Sequence, residues 1–172
     1  MSTQNYASIV AIREFRQTHS REVFSSKSGG KLHVDFALPF ELVRGFFAYD
    51  EGKLKTVPKD IRGLRGYSVV DVPKGGTGGC SFHKVREEAV FGISGSVRLT
   101  CEDLYGGRKS FIITQKNGIV MPPYLLQSFK SLEAGSGVMG VANTLYPVPA
   151  DPLTNDTFSE EEFRELQKSI QS

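Results

Sequence analysis

Apolar and polar positions alternate along most of this chain in short runs separated by glycine, proline or serine, which is the signature of strands with one buried face. Lys31-Leu32-His33-Val34-Asp35-Phe36-Ala37 alternates residue by residue and stops at Pro39. Residues 9–15 and 43–49 are further strand candidates, the second turning at Asp50-Glu51-Gly52. The pattern sharpens after Arg65: residues 66–73 read as a strand stopped by Pro73, and Lys74-Gly75-Gly76-Thr77-Gly78-Gly79 reads as a glycine-rich rim turn. Residues 82–93 and 96–101 read as a strand pair about a Ser94-Gly95 turn, followed by strands at 108–114, 118–121, 125–132 and 137–143. Short strands at roughly ten-residue spacing predict an all-β sandwich or barrel. The last segment changes period. Ser159 stands three residues before Glu162, a capping pair, and Phe163, Leu166 and Ile170 then recur at helical spacing.

A length of 172 residues leaves room for one domain. Within it we expect N-terminal strands or an arm over 1–57, the barrel core over 58–147, and a linker with the C-terminal helix over 148–172. The net charge of +2 gives no basic stripe for nucleic acid. No apolar run is long enough to span a bilayer, and the start lacks the basic and apolar regions of a secretory signal. Cys80 and Cys101 have neither metal-ligand spacing nor a disulfide framework. These features predict a cytoplasmic protein that binds neither membrane nor nucleic acid. The glycine turn lacks the ending and following helix of a phosphate loop.

One constellation carries chemistry. Gly75, five residues, Ser81-Phe82-His83, four residues, Glu88, six residues and Gly95 reproduce the spacing of the first cupin motif. Alternate strand residues share a face, so positions 81 and 83 point into the barrel together. Met121-Pro122-Pro123-Tyr124-Leu125-Leu126-Gln127 occupies the place of the second motif, with Gln127 where a histidine would stand. A transition-metal cupin needs about three imidazole or carboxylate ligands. Here His83 and Glu88 remain, so neither metal nor other cofactor is expected.

The stretch Arg65 to Lys84 resembles the nucleotide-sugar 3,4-ketoisomerases, metal-free cupins of the WxcM-like family that act on dTDP-4-keto-6-deoxyglucose. Arg65, Tyr67, Asp71, Gly75, Gly79, His83 and Lys84 fall in register without a gap. Ile93-Ser94-Gly95-Ser96-Val97, Val120-Met121-Pro122-Pro123 and Ala142-Asn143-Thr144-Leu145-Tyr146 are similar to later family segments. The resemblance covers about residues 58–147. It departs at Ser81, which replaces the first of two family histidines, at Gly78, which replaces an arginine, and at Ser68, which replaces a second tyrosine.

The resemblance implies an all-β cupin barrel, a nucleotide-sugar substrate, and a carbonyl moved between C3 and C4 through an enediol. That reaction needs a base near neutrality and an acid to return the proton. His83 is the candidate for one role, and Tyr67 or Glu88 for the other. Ser81 can position or relay, and Lys84, Tyr124 and Gln127 are further candidates for substrate contact. Arginine suits bidentate phosphate contact, so Arg65 and Arg98 are candidates for the diphosphate, with Arg98 and Arg86 each open between that role and a plain surface one. An alternative is a non-catalytic cupin that binds a sugar or nucleotide sugar as a sensor or accessory subunit. Open strand edges in a small barrel, with residues 32–37 or 43–49 available to join a neighbour's sheet, predict a homodimer.

Overall fold

The computed structural model of the chain describes residues 6–17, 22–34, 36–39, 42–43, 61–145 and 156–171. The alternating runs become strands β1 (Arg13–Arg16), β2 (Glu22–Ser25), β3 (Lys31–Val34), β4 (Arg62–Val72), β5 (Thr77–Phe82) and β6 (Glu88–Ser94). They continue as β7 (Ser96–Glu102), β8 (Arg108–Thr114), β9 (Asn117–Met121), β10 (Leu126–Ser131), β11 (Ser136–Thr144) and β12 (Phe158–Ser159), before helix α1 (Glu160–Gln171). Two antiparallel five-stranded sheets face each other, in the orders β1-β9-β6-β11-β4 and β12-β5-β10-β7-β8, while β2 and β3 form a separate ribbon. This is the all-β cupin barrel that the sequence led us to expect. Among the described residues no helix is long and apolar enough to cross a membrane.

Three apolar layers follow from the alternation. Val90, Ile119, Met121 and Val138 of the first sheet meet Val97, Leu99, Phe111 and Ile113 of the second inside the barrel. The intervening residues of the first sheet, Ala89, Phe91, Val120 and Val141, face outward and are covered by Phe36, Leu38 and Leu42. Strand β6 is therefore buried on both faces through most of its length. The third layer joins Phe82, Leu104 and Leu126 to Phe163 of α1. Ser159 and Glu162 make the expected capping box, Glu162 Oε2 accepting from the Ser159 amide at 2.7 Å and Ser159 Oγ from the Glu162 amide at 3.2 Å. Glu160, Glu161 and Glu162 also complement the positive end of the helix dipole. The expected stripe stops short, because Ile170 is exposed.

Three expectations need correction. Strands β6 and β7 do not pair about Ser94-Gly95; they belong to different sheets, and the chain turns the corner between them at Gly95. Gly95 has φ of 54°, and a Cβ there would come within 3.1 Å of the Ser136 Cα. Nor do residues 82–93 form one strand, since 83–87 leave the ladder between β5 and β6. Finally, Gly78 and Gly79 lie in β5 rather than in a rim turn, with the register against β10 shifting beside them. Of the expected strand at 43–49, residues 44–49 lie outside the described residues, and the Val43 amide donates to the Pro39 carbonyl at 3.1 Å. The N-terminal segment is integral to the barrel, since β1 pairs with β9 and Ile12 joins the core.

Candidate active site

The two sheets splay around a cavity of about 580 Å³ lined by residues from β4, β5, β6, β7, β10 and β11. Polar side chains gather at one level. Ser81 and Gln127 sit opposite each other on β5 and β10, and Glu88 opens β6. The next levels are apolar: Phe129 stands across from Leu99, and Val69 across from Val138.

His83 is the hub. The chain leaves β5 there, and Asp156 receives the loop. The Asp156 carboxylate accepts the backbone amides of Lys84 at 2.8 Å, Val85 at 3.0 Å and Arg86 at 2.7 Å. The His83 Nδ1 lies 2.5 Å from the Asp156 carbonyl oxygen, so Nδ1 carries the proton and donates. On the other side of the ring, Arg86 Nη1 and Gln127 Nε2 each stand 3.2 Å from Nε2, and both are donors. The lone pair of Nε2 therefore faces the cavity cluster. Burial, and then the Arg86 guanidinium, lower the His83 pKa below its ordinary value, so the neutral ring persists into mild acid.

Glu88, fully buried, collects the remaining donors: Tyr67 Oη at 2.6 Å, Gln127 Nε2 at 2.9 Å and the Arg86 guanidinium at 3.6 Å. The Tyr67 ring reaches Glu88 by lying over Gly140, where a Cβ would come within 2.3 Å of it. Burial first, and then the Glu88 charge, push the Tyr67 pKa well above the ordinary tyrosine range. Tyr67 thus keeps its proton and lends it to Glu88. Arg86 Nε is buried without an acceptor among the described residues.

The structure thus brings His83, Tyr67, Glu88, Ser81, Gln127 and Arg65 to the cavity and its wall. Three other expected contacts are placed elsewhere. Arg98 is exposed on β7, between the inward-facing Val97 and Leu99, because strand alternation turns it away. Tyr124, at φ 64°, packs edge-on to Tyr6 at 4.8 Å and near Phe82, in the aromatic layer under α1. The Lys84 ammonium lies 3.9 Å over the Phe158 ring, and only its backbone amide serves the loop. In the opposite direction, Arg86 proves to be buried at the site, and Asp156 and Thr157 arrive from beyond the barrel core. Phe129 covers Gly78, where a Cβ would come within 2.6 Å of its ring. Burial pushes the Cys101 thiol up to about 12, which leaves it inert in the core.

Two antiparallel sheets facing each other around such a cavity define the cupin fold. The comparisons agree. The profile of the FdtA family, described as WxcM-like, C-terminal, matches residues 43–151, and the chain belongs to that family. No curated protein sequence matches significantly. Among solved structures, QdtA, a sugar 3,4-ketoisomerase from Thermoanaerobacterium thermosaccharolyticum in complex with TDP, has a TM-score of 0.59 at 16% identity, over 94% of this chain and 98% of that one. WlaRA, a TDP-fucose-3,4-ketoisomerase from Campylobacter jejuni, has a TM-score of 0.56 at 15% identity, over 94% and 99%. RmlC from Streptococcus suis in complex with dTDP-D-xylose has a TM-score of 0.54 at 15% identity, over 87% and 72%. At such identities these likenesses establish the fold.

Proposed function

We propose that the protein is a sugar-nucleotide isomerase of the 3,4-ketoisomerase kind, which moves a carbonyl between C4 and C3 of a dTDP-linked 4-keto-6-deoxy sugar without a metal. The observation that carries this reading is the His83 ring, with its proton held at Nδ1 and the lone pair of Nε2 turned to the cavity side, where it acts as a base once substrate displaces the Arg86 and Gln127 donors that contact it. His83 Nε2 takes the C3 proton, the C–H electron pair forms the C3–C4 double bond, and the C4 carbonyl becomes an enediolate. Arg86, whose Nε lacks an acceptor among the described residues, supplies positive charge next to that oxyanion. Imidazolium, its Nε2 proton having exchanged with solvent, protonates C4, while the Tyr67–Glu88 pair passes the O3 proton to O4, giving the 3-ketone with no net redox change. The Arg86 charge beside the imidazole fills the role a metal would play, which supports a metal-free site. Arg65 is the cavity's candidate for the diphosphate.

Incubation with dTDP-4-keto-6-deoxyglucose in heavy water is expected to give the 3-ketone with deuterium at the exchanged carbon. The acid limb of kcat/KM should fall below about 6.5, the free-imidazole value, because the neutral base survives to lower pH. Ser81 in the first-histidine place, and Phe129 over Gly78, favour a second reading as a binding module. Micromolar binding of the sugar nucleotide with neither exchange nor product would establish that reading in place of the first.

The assembly we propose is a homodimer. Strand β4 ends its sheet among the described residues along its whole length, with Leu64 and Val70 exposed, and the β2–β3 ribbon exposes Val23, Phe24 and Leu32. Exposed apolar edges of this kind are ordinarily covered. Light scattering at tens of micromolar should give twice the 19.0 kDa chain mass, and Val70→Lys should move the protein towards monomer. A monomeric wild type would exclude the dimer.

A further inference from the structure

The geometry points to Asp156 as a positioning residue for His83, acting on the ring through its main chain and on the loop through its side chain. For activity this rests on the isomerase reading; for geometry it stands alone. A neutral imidazole carries one N–H, and which nitrogen holds it is set by the partner at the other nitrogen. At His83 the partners agree. A carbonyl faces Nδ1 and two donors face Nε2, so the opposite tautomer would set an N–H against N–H donors and a lone pair against a carbonyl.

What keeps the carbonyl in place is the carboxylate of the same residue. Bound to three consecutive amides of the 84–86 loop, it fastens that loop to the returning C-terminal segment at a single buried point. The segment itself is fixed downstream by β12, where Phe158 pairs with Phe82 and Ser159 with Ser81, and by Phe163 of α1 in the apolar layer beneath. Thr157 Oγ1, the next residue, lies 3.4 Å from Arg86 Nη2 and steadies the guanidinium as well. The charged and titratable groups around His83 are Arg86 on its own loop, Glu88 on β6, Tyr67 on β4 and Asp156 itself. Of these, only Asp156 touches Nδ1. It also lies beyond residues 43–151, the stretch that the family profile matches.

Asp156→Ala keeps the main-chain carbonyl but removes its anchor. In full-length protein labelled with nitrogen-15 at histidine, wild-type His83 should show the Nδ1–H tautomer alone, and Asp156→Ala a mixture. kcat should fall about 10- to 100-fold with KM little changed, the loss typical when the partner orienting a site imidazole is removed. Asp156→Asn, which keeps an acceptor oxygen for the amides, should recover much of both signals; a purely structural role would not couple rescue to the tautomer. An Nε2–H tautomer in the wild type, or a single Nδ1–H tautomer and full kcat in Asp156→Ala, overturns the inference and leaves the isomerase reading standing. A wild type that turns over nothing sinks the isomerase reading, and the spectra still decide the role of Asp156. Should Asp156→Ala not fold, the wild-type and Asp156→Asn spectra decide it.

Discussion

Replacing His83 by Asn is expected to lower isomerisation by about 100- to 10,000-fold, the usual contribution of a positioned acid or base. Asparagine is similar in extent to imidazole and can still donate to the Asp156 carbonyl, so the loop and barrel should persist. It cannot take a proton near neutrality, and the C3 proton then has no acceptor at the position of Nε2. Deuterium wash-in should disappear together with product, because both need the same proton abstraction. Measured on protein with unchanged circular dichroism, full activity in His83→Asn would falsify the histidine-driven mechanism. Ser81→His gives a complementary measurement: a faster reaction means that position 81 still addresses the substrate, and no gain means that the cavity has moved to other chemistry.

The second large effect is on stability. Phe163→Ala should cost about 3–5 kcal/mol in chemical denaturation, the range for truncating a fully buried phenylalanine. The ring meets Phe82 edge-on at 5.3 Å and closes the layer between α1 and the second sheet. Among the residues of α1 with described burial, no other is buried as completely, so the helix has little to dock with once the ring is gone. A loss below about 1 kcal/mol would mean that the layer collapses to fill the space.

Strands were legible from the sequence wherever one face is apolar and the other wet. Residues 108–114, set off by the Gly106-Gly107 turn, match β8 end to end, with Phe111 and Ile113 inward and Ile112 outward. Partnership was not legible. The Ser94-Gly95 step looks like a hairpin locally, and only the sheet order shows the chain crossing between sheets. At the site, the likeness to the two cupin motifs placed His83, Glu88 and Gln127 together, although His83 falls one residue past the end of β5. Of the two readings open for Arg98, the facing of its strand favours the surface one, since the strand turns it to solvent. Asp156 escaped notice, and Arg86 was left open between a diphosphate and a surface role, for a different reason. Each belongs to a loop or returning segment whose position is set by contacts some 70 residues apart in the chain, a separation no local pattern encodes.

That separation also orders events in time. A chain synthesised from its N-terminus completes every strand that lines the cavity before Asp156 exists. The nascent barrel can close around an empty pocket, yet His83 has no partner at Nδ1 until Asp156 and the helix that follows it are made and docked. On the isomerase reading, competence thus follows the shaping of the cavity, and a chain that stops short of Asp156 holds a shaped but idle pocket.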